Sequence, residues 1–404
     1  MTLSDFGASS SSHPVPSTAI GEAVGDVLEQ VGTGADLVIV FATSHLTGTF
    51  DELLHVVDAV LRPRVLLGAT GSAVSGNGCD SERQQSVSVW SGRVGRVVPF
   101  VLHSVSADGT GRGKSPTGHD SDGDVTVSSS IDLEPVAHAG TAMLLLADPF
   151  SFPVPEWLEA VHAEWPDLPV VGGYVSAAKA RNGNRMAVGK QVVTSGAVGV
   201  IFRGSRRIDT IVAQGCRPIG SAFTVTRSER NVVVELGGAP AITRLDEIVA
   251  TLPEHLRIPL RSGVHLGIVI DERRLDFGVG DFLIRTVLGV DRANGAIAVD
   301  QEIPVGSIVQ FQTHDAEAAT REFEQRIVDS VNEAKSNGTP VRGAVLFRST
   351  RRGSSFFGQA AGDASALYDL IAVPTIGLAC AGEFGPVDNR NFVHTFASTV
   401  VLFS

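Results

Sequence analysis

The chain has 404 residues, 43% hydrophobic and 19% charged, with a formal net charge of −12 at pH 7. That length exceeds a single ordinary core, so two to three domains are expected. The negative charge disfavours nucleic acid and anionic membrane surfaces as partners, and no apolar run approaches the roughly 18–20 residues that a membrane crossing needs. Three cysteines (Cys79, Cys216, Cys380) lie far apart without a CxxC, which suggests neither a disulfide framework nor a zinc knuckle and points to a reduced cytoplasmic protein.

Residues 1–20 (MTLSDFGASSSSHPVPSTAI) lack the basic start and apolar stretch of a secretory signal and read as a disordered tail. A pattern then occurs three times: an apolar strand, a short helix, a second apolar strand ending in a Gly-rich turn, and further β sequence. The first copy has LVIVFATS from Leu37, a helix over Asp51–Leu61, RVLLGATGSAVSGNG and SVSVW. The second has AMLLLADPFSF from Ala142, a helix over Glu156–Trp165, LPVVGGYVSAAKARNG and GAVGVIF. The third has GAVLFRSTRRG from Gly343, a helix over Ala364–Ala372, PTIGLACAGEFGP and STVVLF. LVIV, MLLL and VVGG show no polar alternation, which indicates strands buried on both faces.

Between the first two copies, Ser104–Ser130 is rich in Gly, Ser and Asp and reads as a mobile insertion. After the second copy, Phe223–Glu229 and Asn231–Gly238 suit a hairpin. A helix comes next over Thr243–Leu252 with Thr243 as its cap. Strands over Phe282–Asp291, Ala296–Ile303 and Ser307–Asp315 succeed it, the first two joined by an Asn-Gly turn. A helix over Ala316–Lys335 has apolar Phe323, Ile327, Val328 and Val331 at helical spacing. The chain divides into residues 21–237 and 238–404. The fold class is α+β: internally repeated β-α-β-β units, with mixed sheets stacked face to face and helices on the outer faces.

Several apparent motifs fail. GTGRGKS (Gly109–Ser115) has Asp108 where a phosphate loop needs its first glycine, and Pro116 and Gly118 stand where a helix should begin. Asp120, Asp122 and Asp124 alternate as in a calcium loop, but the glycine is displaced and no closing Glu is present.

Three clusters remain: QGCRPIG (Gln214–Gly220), FRSTRRG (Phe347–Gly353) and CAGEFGPVDNRNFVHTFAS (Cys380–Ser398). The last two lie at the carboxyl ends of strands, where open α/β sheets bind ligands. Arg217 and Arg352 suit an anionic ligand group and Glu383 an amine, while His394 suits a donor, acceptor or ligating role. Each has a structural alternative: Arg217 tying its own loop, Glu383 in a buried salt bridge with Arg352 or Arg217, and His394 as a hydrogen-bonded core residue. Cys216 and Cys380 read as buried small residues, since no His–Cys partnership is visible.

These stretches resemble the FIST (F-box and intracellular signal transduction) family. LVIVFATS, VLLGATGSAVSGNG, VVGGYVSAA and QGCRPIG with FTVTRSERNVVVELGGAPA are similar to its N-terminal region. GDFLIRTVLGVDRANGAIAVDQEIPVGSIVQF, VLFRSTRRG and AGEFGP with NFVHTF are similar to its C-terminal region. The likeness runs from about Asp36 to Phe403. Two positions depart: Ser349 stands where the family often has a cysteine, and Ala397 where a threonine is common.

The resemblance implies a sensory domain for a small polar metabolite such as an amino acid, without established catalysis. The expected ligand contacts are Arg217, Ser349, Arg352, Glu383 and His394, in a cleft between the halves. No catalytic or metal residue is assigned. Two alternatives stand beside this reading: a haem-based nitric oxide sensor, as in some members of the family, and an enzyme using Arg352, Glu383 and His394 as an acid–base group. The expected partners are a small-molecule ligand and a separately encoded signalling protein.

Overall fold

The computed structural model describes residues 3–404 apart from 106–125, 205, 255–256, 258–259, 261–262, 275 and 359–361. The first part of the chain forms β1 (Phe6–Ser11), α1 (Pro16–Val31), β2 (Leu37–Thr43), α2 (Phe50–Leu61), β3 (Val65–Gly71), β4 (Val74–Gly76), β5 (Cys79–Ser81) and β6 (Val87–Gly92). Next come β7 (Arg96–Val105), β8 (Thr126–Ser129), α3 (Glu134–Ala137), β9 (Ala142–Ala147), α4 (Val154–Glu164), β10 (Val170–Tyr174), β11 (Met186–Val188), β12 (Gln191–Val193), β13 (Ala197–Arg203) and β14 (Ile208–Ala213).

The middle of the chain gives β15 (Cys216–Pro218), β16 (Phe223–Glu229), β17 (Val232–Leu236), β18 (Ala239–Pro240), α5 (Ala241–Thr251), β19 (His265–Val269), β20 (Phe282–Asp291), β21 (Ala296–Val299), β22 (Ile308–His314) and α6 (Ala316–Ser336). The remainder is β23 (Gly343–Ser349), α7 (Ser354–Phe357), α8 (Gly362–Ile371), β24 (Thr375–Cys380), β25 (Glu383–Val387), β26 (Arg390–His394) and β27 (Ser398–Phe403). By compactness the chain divides into one unit of Met1–Val212 with Arg326–Ser404 and a second of Ala213–Gln325.

The first unit holds three sheets, ordered β1-β6-β2-β3-β11-β12, β8-β7-β13-β9-β10-β25-β26 and β14-β27-β23-β24-β4-β5. Each is built on one parallel pair, β2/β3, β9/β10 or β23/β24, made by the strand–helix–strand repeat. On one side of each pair lies its own later antiparallel strand, β6, β13 or β27. On the other side lies a hairpin borrowed from another copy. The β4/β5 hairpin comes after β3 but pairs with β24; β11/β12 comes after β10 but pairs with β3; β25/β26 comes after β24 but pairs with β10. The three copies therefore exchange hairpins cyclically. Residue-level equivalence supports true repetition: the amides of Thr43, Asp148 and Ser349 donate to the carbonyls of Ser86, Gly196 and Ala397 at 2.9, 2.9 and 3.0 Å.

One face of all three sheets shares a core. It includes Leu37, Ile39 and Phe41 of β2, Leu144 and Leu146 of β9, Val345 and Phe347 of β23, and Phe403 of β27. Phe41 meets Phe347 at 6.0 Å, and Phe403 touches Trp90 at 5.1 Å and Phe202 at 5.4 Å, so aromatic contacts join the sheets. Helices α1 and α2 cover the outer face of the first sheet, and α3 and α4 that of the second. Every residue of β2, β9, β23, β24 and β27 is buried, as their lack of polar alternation requires.

In the second unit, β22, β16, β17, β21, β20 and β19 pair in order, and β19 pairs back onto β22. The pairs are antiparallel and close a six-stranded ring around Val225, Val233, Leu236, Leu266, Ile297, Val299, Val309 and Phe311.

The structure corrects several sequence expectations. The N-terminal tail is ordered: β1 pairs with β6, burying Phe6 and Ala8, and α1 begins at Pro16. The serine run hid a strand whose hydroxyls bond Asp26 and Glu22 of α1. Of the Ser104–Ser130 insertion, residues 106–125 lie outside the described residues, while its ends form the paired strands β7 and β8. The helix expected from Thr243 starts at Ala241, so Thr243 lies inside it and caps nothing.

Candidate functional site

Strand β23 runs apolar until its carboxyl end, where Arg348 and Ser349 interrupt it. The equivalent ends of the other copies are Ala42-Thr43 and Ala147-Asp148, so only the third copy carries a cation there. Arg348 is buried and holds two carboxylates of the borrowed β4/β5 hairpin region: Asp80 at 2.9 Å and Glu82 at 3.1 Å. Glu82 also accepts the Ser354 amide at 3.0 Å and the Ser354 hydroxyl at 2.7 Å, which ties α7 to the hairpin.

One turn beyond β23, Arg352 makes a two-point ion pair with Asp363, Nε to Oδ2 at 2.8 Å and Nη2 to Oδ1 at 2.7 Å. Its side chain is fully buried, between the rings of Phe357 and Phe396. Asp363 lies in the first turn of α8, where the helix dipole favours a carboxylate, and also accepts from Ser398 Oγ at 2.7 Å. Glu383 opens β25. Its Oε2 accepts the Ala397 amide at 2.9 Å. Burial pushes its carboxyl well above the usual range, against the Ala397 amide, the Arg352 charge and the Ser349 hydroxyl. Burial also raises the Cys380 thiol, reinforced by the charge of Glu383.

Above Arg348 lies a cavity of about 350 Å³ lined by Asp80, Ser81, Glu82, Arg83, Gln84 and Ser354. The Asp80 side chain is 5% exposed. Its Oδ2 is held by Arg348, while Oδ1 has no hydrogen-bond partner among the described residues. Burial raises its carboxyl to about 6; Glu82 and Asp363 add to the rise and Arg348 opposes it. At Glu82 burial also disfavours the charge, but hydrogen bonds from Ser354 and the Arg348 charge outweigh it and hold the carboxyl below its usual value.

The structure thus gathers Ser349, Arg352 and Glu383 at the strand ends of the third copy. His394 pairs across from Glu383 on β26, buried, with Nε2 3.1 Å from the Gly385 carbonyl oxygen. Arg217 belongs to the second unit, where it pairs with Asp315 at 3.0 Å and Glu317 at 3.7 Å. The expected salt bridge of Glu383 with Arg352 or Arg217 is corrected: each arginine has a different carboxylate partner. Asp363, Asp80, Glu82 and Arg348 went unrecognised in the sequence. An acidic residue just ahead of the predicted helix was the available signal for Asp363. A polar Cys-Asp-Ser-Glu run after a Gly-rich turn was the signal for the hairpin pair.

The second unit corrects one more expectation. Cys216 Sγ lies 3.1 Å from His314 Nδ1, because β15 pairs with β22 in the register Cys216–His314. The His314 and His265 rings lie 3.9 Å apart, and all three side chains are buried. Ninety-eight residues of sequence separate this cysteine from its histidine, so no local motif announces it. Among the described residues, no group of three or more His, Cys, Asp or Glu is arranged to hold a metal ion. No helix among them is long and apolar enough to cross a membrane.

The repeated body with its strand-end polar network belongs with comparisons across the whole chain. Residues 36–239 match the FIST N domain and 241–386 the FIST C domain, so the chain belongs to the FIST family, whose domains are signal-transduction sensory domains. It is similar to an uncharacterised protein of Mycobacterium tuberculosis, present in strains CDC 1551 and H37Rv, with 36% identity over 401 residues, covering 98% of this chain and 99% of the relative. An uncharacterised protein found in Mycobacterium bovis and in M. tuberculosis is 34% identical over 384 residues, covering 95% of this chain and 94% of the relative.

Proposed function

We propose that this protein is a cytoplasmic small-molecule sensor that binds a small polar metabolite, of the size of an amino acid, in the cavity above Arg348, and passes the signal to a separately encoded partner. One observation carries the reading. Of three equivalent strand ends, only that of the third copy builds a buried network of charges, and that network underlies the cavity. The first copy ends in a neutral Thr43 and the second in a single buried carboxylate, Asp148, met by the neutral donors Asn184 and Ser151. Buried charge is costly unless it is paired, so the cation and clustered carboxylates of the third copy exceed what the shared fold requires. Glu82 adds a route outward: it accepts from Ser354 of α7 while lining the cavity, so a ligand that competes for it alters the α7 connection.

A fluorimetric melting screen of amino acids, small carboxylates, amines, diols and nucleosides tests this. A ligand that binds only the folded state stabilises it by about 2.7 kcal/mol at a hundredfold excess over Kd. Gln84 is exposed at the cavity mouth, so Gln84→Trp fills the site without touching the buried network. Hits are expected on the parent protein and lost in Gln84→Trp. Hits that survive the substitution place the site elsewhere, and conversion of a hit to product removes the sensor reading.

A further inference from the structure

We propose that the group recognised in this cavity is the ammonium of a small organic amine that carries no carboxylate, held by Asp80 Oδ1. The inference rests on the ligand-sensing reading above and names the chemistry of its ligand. Two independent observations lead to it. The first is the unpartnered oxygen: Asp80 lines the cavity, its side chain is about nineteen-twentieths buried, and among the described residues Oδ1 meets no donor while Oδ2 is held by Arg348. Such an acceptor is satisfied by a ligand that donates.

The second observation is the charge around it. Among the described residues, Asp80, Glu82 and Asp363 pair only with Arg348 and Arg352, while Glu383 is driven towards its neutral form by burial. One carboxylate therefore lacks a counter-charge, and an ammonium supplies it. The rim cation Arg83 is exposed, and solvent screens it too strongly to hold a ligand carboxylate firmly. A zwitterion would bring its negative end towards Asp80 and Glu82, so a decarboxylated amine suits the site better than its parent amino acid.

Proton linkage arises from the same geometry. The charged groups facing Asp80 are Arg348 of β23, Glu82 on the continuation of its own hairpin, and Asp363 of α8; together with burial they leave its carboxyl titrating at about 6. An ammonium binds the ionised carboxylate, so amine binding releases a proton near pH 6, and affinity rises with pH through that value. Between pH 5 and 7 the ionised fraction rises about tenfold, which sets the expected gain in affinity.

The test is titration calorimetry with matched compounds: ethanolamine, 1,4-diaminobutane and 1,5-diaminopentane; their carboxylated parents L-serine, L-ornithine and L-lysine; and ethylene glycol, 1,4-butanediol and 1,5-pentanediol. At least one amine is expected to bind, more tightly than its parent and its diol, about tenfold better at pH 7 than at pH 5, with proton release in paired buffers at pH 6. Asp80→Asn is expected to weaken it at least tenfold. Gln84→Arg, which adds a cation at the exposed mouth and leaves the buried pairs intact, is expected to do the same. The inference is overturned if no amine binds, if a parent amino acid or diol binds more tightly, if affinity is flat with pH, or if both variants bind as the parent does. A diol or amino acid that binds and is lost in Gln84→Trp overturns only the amine assignment. Silence from every compound, here and in the melting screen, brings down the sensor reading as well.

Discussion

Arg352 and Glu383 are both fully buried, and their surroundings treat their charges in opposite ways. Arg352 keeps its charge because Asp363 meets it with two oxygens and the Phe357 and Phe396 rings flank it. Glu383 is pushed towards the neutral acid because burial outweighs its polar neighbours. Removing one partner of a buried ion pair costs roughly 3–5 kcal/mol, whereas exchanging a neutral acid for an amide of the same shape costs about 1 kcal/mol. A denaturant-based double-mutant cycle on Arg352→Met and Asp363→Asn is therefore expected to show strong coupling, and the cycle on Arg352→Met and Glu383→Gln weak coupling. Equal coupling in the two cycles would mean that Glu383 shares the Arg352 charge. Both Arg352 and Glu383 were visible in the sequence as charges beside glycines after strands. Their partners were not, because ion pairing depends on which turn faces which, and Asp363 stood just ahead of the expected helix with nothing local to link it to Arg352.

At the level of elements, the Gly-rich stretch expected as a turn in the second copy lies inside β10, where its glycines serve first to let strands pass closely. Gly172 has φ of 149°, and a Cβ there would collide with the carbonyl oxygen of Leu145 on the neighbouring strand β9. No rotamer relieves a clash between backbone and Cβ. Gly172→Ala is expected to cost about 3 kcal/mol or more, read as a lowered denaturation midpoint. A midpoint unchanged within error would show that β10 can move away from β9. The neighbouring Gly173 has ordinary φ but faces Cys380 and the Gly382 carbonyl, where the second and third copies meet. Ser72 and Ser176, just beyond the turns of the first two copies, bond each other at 3.1 Å, and Ser176 Oγ also donates to the Ala379 carbonyl. The Gly-containing strand ends therefore mark where the copies converge.

For the whole molecule, the repeat was legible because each copy writes the same local instructions: an unbroken apolar strand, a helix with one apolar face, and a permissive turn. The cyclic exchange of hairpins was not legible. Strands β4, β5, β11 and β12 are three residues long, and so short a segment does not encode which distant edge it completes. The closed ring of the second unit escaped for a different reason: closure rests on β19, a strand not expected from the sequence, pairing back to β22 more than forty residues later. The exchange bears directly on the site: it brings Asp80 and Glu82 of the first copy onto Arg348 of the third, so the cavity belongs to neither copy alone.

Hydrogen–deuterium exchange with and without saturating 1,4-diaminobutane at pH 7 tests that assembled site most directly. Slowed exchange is expected over residues 79–84 and over Ser354–Phe357, which come from different copies and meet only through the exchanged hairpin. Slowing confined to other segments, such as Gln214–Gly220, or no slowing at all, would contradict the account.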